Sequence, residues 1–422
     1  MRRFFNIWVL ATVALYYVGP IDWPGSHEPW VALFVILNVI SFNIGYLALS
    51  NPKRRRYSDF DVLGLVRSRN IAIAIAIMLM YCAASILFMQ LTTGQTLGTI
   101  LSEGVQLDTI YTDYTTFLSE RGDFNLKTQL LLLFKAGLFP IALVLLAANF
   151  QRSRIIVAVF FFPMIAFSLA RGTDKETVDL FLIFALMSLY YGKRYGKRLG
   201  KRLGFRVFVL SAIPILATLF VLRRFGRFAG NLPGCLPDSP ACFNFESPLA
   251  QVSPLLEVAY IFATQYITQG YEGLSIAFSL DFHFNFGLGH LPPVQRAICS
   301  GLSLGCDLVN YNETLYHAGW DTSYRWSSVY TYLANDLTWF FVPLYLFFIG
   351  WSLRLAEAEW LRRGNPSALA VIVLIGIFTL YSPANMQIGI SMDWAFATIF
   401  LLYGKALTVR TRAKDPQSST CA

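Results

Sequence analysis

Long runs of apolar residues without a single charge constrain this chain more than any other feature. Residues 30–50 read WVALFVILNVISFNIGYLALS, and residues 71–91 read IAIAIAIMLMYCAASILFMQL. A run of about 20 such residues is the length of helix that crosses the hydrocarbon core of a bilayer. Only 14% of the residues are charged, whereas about a quarter are charged in an ordinary soluble protein. The sequence therefore predicts an all-α, polytopic integral membrane protein.

Ten apolar segments predict about ten transmembrane helices. We expect these helices at residues 4–19, 30–49, 71–91, 130–149, 155–170, 177–191, 206–222, 328–352, 368–383 and 392–408. They divide the chain into three parts. Residues 1–222 hold the first seven helices with short loops, residues 223–327 form one large loop, and residues 328–422 hold the last three helices and a tail.

The distribution of basic residues predicts the orientation of the chain, because Lys and Arg are retained on the cytoplasmic side of the membrane. Most of the 34 basic residues lie in every second interval between spans, in the segments 2–3, 53–69, 152–154, 193–206, 354–363 and 410–414. The other intervals contain acidic residues and few cations. This alternation predicts a multi-pass protein of the bacterial inner membrane, with both termini in the cytoplasm and residues 223–327 in the periplasm.

Two basic segments have explanations that involve the membrane and not nucleic acid. Residues 1–19 resemble a signal peptide in charge and hydropathy, but no small-x-small cleavage site follows them, so we expect an uncleaved first helix. The run GKRYGKRLGKRLGFR at residues 192–206 is expected to rest on anionic lipid as a topology anchor. A specific regulatory role is the alternative for this run. The net charge of +9 thus predicts contact with membrane lipids and no nucleic-acid partner.

Four cysteines of the large loop occur in two pairs with the same C-x6-C spacing. In the oxidising periplasm such cysteines commonly form disulfides, and four cysteines allow three connectivities. The two local pairings are favoured, namely Cys235 with Cys242 and Cys299 with Cys306. No cluster of His, Cys and Asp has the spacing of a metal site, and no Gly-rich phosphate loop occurs. We therefore expect neither a metal nor a cofactor.

Three segments together resemble one known family. Residues 266–290, YITQGYEGLSIAFSLDFHFNFGLGH, are similar to a phrase Tyr-x-x-x-Gly-Tyr-x-Gly-Leu that precedes a Gly-x-Gly. Residues 168–175, SLARGTDK, resemble a Ser-x-x-Arg-Gly at the outer end of a middle helix. Residues 327–350 resemble a late helix with Asp-hydrophobic-Gly, although Thr338 stands in the place of that glycine. With the order of spans and the single large loop, these segments resemble the Wzy-type O-antigen, or oligosaccharide repeat-unit, polymerases.

The resemblance implies a GT-C-like glycosyltransferase that works without a metal on the periplasmic face. Its donor would be a growing saccharide on undecaprenyl diphosphate, and its acceptor would be a hydroxyl of the next lipid-linked repeat unit. The product would be a surface polysaccharide such as O-antigen, and the implied partners are a Wzz-type chain-length regulator and a repeat-unit flippase. An O-antigen ligase and a flippase or transporter of lipid-linked or anionic saccharide are the alternatives. Transporters usually contain two similar halves, which this sequence does not show.

External arginines are the candidates for binding the diphosphate, because a guanidinium keeps its charge and pairs bidentately with phosphate oxygens. Arg171 lies at the outer turn between predicted helices 155–170 and 177–191, which at 1.5 Å per residue reach roughly 22–24 Å and fall short of the ~30 Å hydrocarbon core. This shortness places the turn below the outer surface. The other candidates are Arg223, Arg224, Arg227 and Arg325. Anchoring to lipid headgroups is the alternative role for each, and for Arg171 pairing with Asp174 is a further alternative.

A general base would remove the proton of the acceptor hydroxyl. His317 is the preferred catalytic histidine, because related periplasmic glycan ligases carry a histidine in the corresponding loop. Asp336 lies inside the span 328–352 and is a second catalytic candidate, since charges within a membrane are usually functional. Lys135 lies inside the span 130–149, and the alternatives for both are that they pair with one another or that their side chains snorkel outward. Other possible bases are His290, Glu272 and Asp281.

Overall fold

The computed structural model describes residues 1–49, 71–102, 126–196, 234–235, 240–285, 287–301, 311–322 and 325–404. Regular structure in these residues is helical, apart from one isolated bridge between Cys235 and Cys242. The all-α prediction is therefore confirmed for them. The helices are α1 (Arg2–Val18), α2 (Trp30–Leu47), α3 (Ile71–Thr93), α4 (Leu97–Ser102), α5 (Leu126–Asn149), α6 (Arg154–Arg171), α7 (Lys175–Arg194), α8 (Pro248–Val252), α9 (Pro254–Ala277), α10 (Pro292–Gly301), α11 (Tyr311–His317), α12 (Val329–Arg363), α13 (Pro366–Tyr381), α14 (Gln387–Ile390) and α15 (Met392–Ala397), and a π-helical turn continues α15 over Thr398–Tyr403.

Five of these helices are long and apolar enough to cross a membrane. They are α2, α3, α5, α6 and α12, with mean hydropathy between 1.5 and 2.6 over their best windows. Their outward faces carry large apolar side chains such as Leu33, Leu37 and Phe340, which are exposed. A bundle with apolar residues both in its core and on its surface is built for a lipid environment. The described part of the chain is thus that of a multi-pass membrane protein.

Helices occupy each predicted span that falls within the described residues, whereas the predicted span 206–222 lies outside them. Several bounds differ from the prediction, most of all in α6, α7 and α12. Helices α6 and α7 contain 18 and 20 residues, or roughly 27 and 30 Å at 1.5 Å per residue, so they are not short. Helix α12 continues to Arg363, about three turns beyond the predicted span, through a segment that contains both acidic and basic residues.

The basic ends of several helices meet at one end of the bundle. Arg194, at the end of α7, donates hydrogen bonds to the carbonyl oxygens of Trp360 and Leu361 in α12. Arg2 and Arg354 both lie over the ring of Tyr46, at 5.3 and 5.5 Å from its centroid. The turn between α6 and α7 lies at the opposite end of these helices. Basic side chains thus gather at one end of these helices, whereas the turn at the other end contains both cations and acids. The orientation expected from the positive-inside rule stays a prediction.

Helices α2 and α12 pack at very close range through two glycines. A Cβ atom added to Gly45 would collide with the carbonyl oxygen of Phe347, and one added to Gly350 would collide with the carbonyl oxygen of Phe42. Ser41 strengthens the contact by donating a hydrogen bond of 2.5 Å to the carbonyl oxygen of Pro343. Small residues commonly permit such close approach between helices in membranes.

Helix α9 belongs to the predicted large loop, yet it packs into the same hydrophobic core as the transmembrane helices. Its Tyr271 hydroxyl lies 2.9 Å from that of Thr12 in α1, and its Glu272 accepts a 2.7 Å hydrogen bond from Tyr16. The indole of Trp23 donates to Thr268 at 2.9 Å. Side chains that sequence assigns to an external loop are thus part of the bundle itself.

A kink interrupts α12 at Thr338, where φ is 54° and ψ is 167°. Thr338 is the only residue other than glycine with a positive φ among the described residues. This backbone region is populated almost entirely by glycine, because a Cβ atom makes it costly. The kink follows directly after Asp336 and Leu337, the part of α12 in which the resembled pattern has Asp-hydrophobic-Gly.

Candidate functional site

A cavity of about 470 Å³ lies between α3, α5, α6, α7 and the segment 387–394. Its wall combines aromatic rings with six ionisable side chains, three of them cationic and three acidic. These six are Lys135, Arg171, Lys175, Glu176, Asp179 and Asp393. A concave site in which several polar groups converge on an apolar wall is the usual form of a ligand site. This cavity is therefore the candidate functional site.

The local sequence Ser168-Leu-Ala-Arg171-Gly172 positions Arg171 at the cavity. Gly172 adopts the left-handed conformation, with φ of 61°, and its backbone N–H caps α6 by donating to the carbonyl oxygens of Leu169 and Ser168. The hydroxyl of Ser168 lies 2.9 Å from that of Thr177 in α7 and also donates to the carbonyl oxygen of Thr173. The serine and glycine of this motif thus fix the turn, and the arginine between them lines the cavity.

Two ion pairs bring the cations of the cavity together with its acids. Nη1 of Arg171 donates to Oε1 of Glu176 at 2.9 Å, and Nζ of Lys135 donates to Oδ2 of Asp393 at 2.6 Å. Both cations also face the ring of Phe167, with Arg171 Cζ 5.1 Å and Lys135 Nζ 5.9 Å from its centroid. The predicted partner of Lys135 was Asp336, and this alternative is wrong. Arg171 thus pairs with Glu176, and its alternative pairing with Asp174 stays a prediction.

A discontinuous helix closes one side of the cavity. Helix α13 ends at Tyr381, α14 contains only four residues, and the helix resumes at Met392. This break brings Gln387 and Trp394 to Asp179, whose Oδ2 accepts hydrogen bonds of 3.2 Å from the amide and 3.1 Å from the indole. Backbone interruptions at membrane depth are tolerated where they line a cavity within the protein.

Asp336 anchors a loop and does not line the cavity. Its Oδ1 accepts the backbone N–H groups of Gly287 and Gly289, both at 3.0 Å. Its Oδ2 accepts the backbone N–H of His290 at 2.8 Å and contacts the Nδ1 of the same residue at 2.6 Å. Nε2 of His290 lies 3.0 Å from the Tyr403 hydroxyl. The Gly-Leu-Gly-His phrase is thus folded around the carboxylate, which is 3% exposed.

The close approach of this loop explains the second glycine of the phrase. A Cβ atom on Gly289 would lie 2.6 Å from Cβ of Asn335 and 2.9 Å from Cβ of Asn285. Asn335 also donates from Nδ2 to the carbonyl oxygen of Gly289 at 3.2 Å. The pairing of Asp336 with a histidine was not predicted, and the histidine concerned is His290.

The remaining predicted site residues lie elsewhere. His317, at the end of α11, is exposed and its ring packs on Tyr316. Arg325 lies over the ring of Trp320, with Cζ 4.9 Å from its centroid. Neither lines the cavity, so their catalytic and binding roles stay predictions. The candidates Arg223, Arg224 and Arg227 lie outside the described residues.

Glu272 is a buried carboxyl close to Arg325. It accepts hydrogen bonds from the Tyr16 hydroxyl at 2.7 Å and from the backbone N–H of Gly25 at 3.0 Å. Burial raises the pKa of the Glu272 carboxyl, and these hydrogen bonds and the charge of Arg325 offset part of that rise. The arrangement joins α9 to the turn after α1 and gives Glu272 a structural role.

Cys235 and Cys242 form a disulfide, as predicted. Cys299 is also disulfide-bonded, but Cys306 lies outside the described residues, so the predicted Cys299–Cys306 pairing stays a prediction. Among the described residues, no group of three or more His, Cys, Asp or Glu could hold a metal ion.

Four acids and bases of the cavity were missed from sequence. They are Lys175, Glu176, Asp179 and Asp393. Asp393 could have been identified from the sequence, because an acid inside a predicted span is a functional candidate in the same way as Lys135. Lys175 and Glu176 gave no such signal, since charges at a turn between helices are ordinary.

The fold and the cavity define a class, an all-α multi-pass membrane protein with a charged cavity between its helices. No protein-family model, no curated protein and no solved structure matches the chain. Its function must therefore be argued from the cavity.

Proposed function

We propose that this protein polymerises oligosaccharide repeat units carried on undecaprenyl diphosphate into a surface polysaccharide such as O-antigen. In this proposal it is a GT-C-like glycosyltransferase of the bacterial inner membrane with about ten spans and both termini in the cytoplasm. Transfer takes place on the periplasmic face, and a Wzz-type chain-length regulator and a repeat-unit flippase act with it.

The observation that carries the proposal is the position of Arg171 in the cavity. The guanidinium lies at the end of α6 that is opposite the basic end of the bundle, and Lys135 and Lys175 line the same cavity. The leaving group of the proposed reaction is a lipid diphosphate, so the site must stabilise negative charge on phosphate oxygens as the glycosidic bond breaks. Guanidinium and ammonium groups aimed at developing charge do this efficiently.

The aromatic wall of the cavity suits the remainder of the substrate. Tyr81, Phe139, Phe167 and Trp394 line it together with the charged groups. Aromatic faces present large apolar surfaces, and the Trp394 indole is held in place by its hydrogen bond to Asp179. Sugar rings and the first prenyl units both have apolar faces that fit such a wall.

The test replaces Arg171 in the host and follows the surface polysaccharide on a gel. Arg171→Ala should abolish long polymer at unchanged protein abundance, because loss of one donor to developing charge costs about 10²–10³-fold in rate. Arg171→Lys keeps the charge but loses the bidentate fork, so it should also be impaired. Arg152→Ala is the matched control, since Arg152 is exposed and away from the cavity.

A double variant separates phosphate binding from a structural role. If Arg171 serves only to neutralise Glu176, then removing both charges in Arg171→Ala/Glu176→Gln should restore polymer. If Arg171 binds the diphosphate, the double variant stays inactive. A normal polysaccharide ladder from Arg171→Ala at normal abundance would remove Arg171 from the site.

Transport of a lipid-linked or anionic saccharide is the second candidate, and the discontinuous helix around α14 favours it. Helices that break near a charged cavity are typical of transporter binding sites. Deletion of the gene separates the candidates. If the ladder of long polysaccharide chains is lost but lipopolysaccharide core that carries a single repeat unit survives, the protein is a polymerase. If no core carries a repeat unit, the protein is a flippase or a ligase.

A further inference from the structure

The three carboxylates of the cavity differ in how many of their oxygens are already engaged. Both oxygens of Glu176 accept hydrogen bonds, one from Arg171 at 2.9 Å and one from Thr173 at 3.0 Å. Asp179 has its Oδ2 held by Gln387 and Trp394, and its Oδ1 accepts no hydrogen bond from the described residues, but the residue is only 1% exposed. Asp393 is 16% exposed in its side chain and lines the cavity. It is therefore the acid that a ligand can reach most readily.

Asp393 uses only one of its two oxygens. Oδ2 pairs with Lys135 at 2.6 Å, whereas Oδ1 is buried and accepts no hydrogen bond from the described residues. Nearby, Oε1 of Gln387 is also buried without a hydrogen-bond partner in the described part of the chain, and the residue is 1% exposed. Buried polar atoms without partners usually mark a place that a ligand or water fills.

Lys135 is placed to exchange its partner. The Lys135 side chain is 10% exposed. Its ammonium group and the guanidinium of Arg171 in α6 both lie over the ring of Phe167. A diphosphate held by Arg171 would therefore come close to the Lys135 ammonium. A diphosphate carries more negative charge than one carboxylate, so it competes with Asp393 for this cation.

We propose that Asp393 is the general base of the transfer reaction, and that it is released for this role when the diphosphate of the donor takes over Lys135. This inference rests on the proposed function. In the resting protein, Lys135 and the Asp393 carboxylate form an ion pair through Oδ2. Once the diphosphate is bound, the carboxylate is left inside the cavity beside the reacting groups.

The step balances with the groups present. The acceptor hydroxyl oxygen attacks the anomeric carbon of the donor sugar and forms the new glycosidic bond. The bond from that carbon to the diphosphate oxygen breaks, and its electron pair leaves with the diphosphate, which Arg171 and Lys135 hold. The hydroxyl proton passes to Oδ2 of Asp393, the oxygen that Lys135 has left, and Asp393 returns it to water when the products leave. Positioned proton acceptors contribute about 10²–10⁴-fold to such steps.

The experiment measures ligand binding and polymer formation separately. Purified protein in lipid nanodiscs is titrated with undecaprenyl diphosphate as the probe, and the same variants are followed in the host by the polysaccharide gel. Asp393→Asn should bind the probe at least as tightly as the wild type, because the competitor for Lys135 has lost its charge. It should reduce polymer about a hundredfold or more. Glu246→Gln, at an exposed carboxylate outside the cavity, is the matched control and should match the wild type.

The double variant Asp393→Asn/Lys135→Met tests for a purely structural ion pair. It removes both charges, so it restores any stability that Asp393→Asn loses through an unpaired Lys135. Polymer should stay lost in the double variant at normal abundance. Recovery of polymer there would overturn the inference, and so would a normal ladder from Asp393→Asn alone.

The two proposals fail in different ways. Wild-type protein that does not bind undecaprenyl diphosphate contradicts the proposed function itself. Wild-type protein that binds the probe, together with an Asp393→Asn variant that still makes polymer, leaves the proposed function in place and overturns only the role of Asp393.

Discussion

Replacing Thr338 by glycine should stabilise the protein. Thr338 adopts φ of 54° and ψ of 167° within α12, a combination that is costly for any residue with a Cβ atom. Residues held in such regions store about 1–3 kcal/mol of strain. Glycine removes this strain but adds about 0.5–1 kcal/mol of backbone entropy in the unfolded chain. The free energy of unfolding should therefore rise by up to about 2.5 kcal/mol.

Thr338→Ala separates strain from side-chain contacts. Alanine keeps the Cβ atom and therefore the strain, while it loses the packing of a half-buried threonine side chain. It should unfold more readily than the wild type, and Thr338→Gly should unfold less readily. The difference between the two variants then reports the backbone strain less the entropy that glycine adds to the unfolded chain.

The free energy of unfolding can be followed by SDS titration of the protein purified in detergent. Ser352→Gly is the matched control, since Ser352 lies in the same helix at an ordinary helical φ. It should be destabilised by a few tenths of a kcal/mol up to about 1 kcal/mol. If Thr338→Gly were destabilised as much as Ser352→Gly, the kink would not be strained and the reasoning would be refuted.

Two further predictions concern packing and disulfides. Gly45→Ala and Gly350→Ala should each destabilise the protein by about 1–3 kcal/mol, because the added methyl group meets the backbone of the neighbouring helix. Gly137→Ala is the control, since a Cβ atom there meets nothing within 4 Å, and unchanged stability of the other two variants would contradict the close contact. Mass spectrometry of unreduced protein should find two local disulfides in the large loop, Cys235–Cys242 and Cys299–Cys306. Free thiols at these four positions would disprove them.

Hydropathy predicted where the helices lie, because crossing a bilayer demands long apolar runs. The segment 30–49, for example, appears as the helix Trp30–Leu47. Hydropathy did not predict the bounds of helices whose terminal residues are polar. Lys175 and Glu176 were excluded from the apolar run, although their side chains enter a cavity and their backbone continues α7. The start of α7 was therefore underestimated, because charged residues at this end of the helix face the interior of the protein.

The contacts of the site were less predictable than its helices. Arg171 was predicted from its motif, which also fixes the local turn. The partners of Lys135 and Asp336 were not, because each lies far away along the chain, at Asp393 and at His290. No local pattern relates such residues, and only the packing of helices brings them together.

The pairing of Lys135 with Asp393 has a consequence for how the chain enters the membrane. The two residues are separated by 258 positions. At a synthesis rate of about 5–20 residues per second, the ribosome reaches Asp393 roughly 13–50 s after Lys135. During that interval α5 carries a buried ammonium without its counter-ion, and only the high hydropathy of the helix, 2.5 over its best window, offsets the cost of inserting it. Arrival of α15 neutralises the charge, so the cavity closes only when the last helices are inserted.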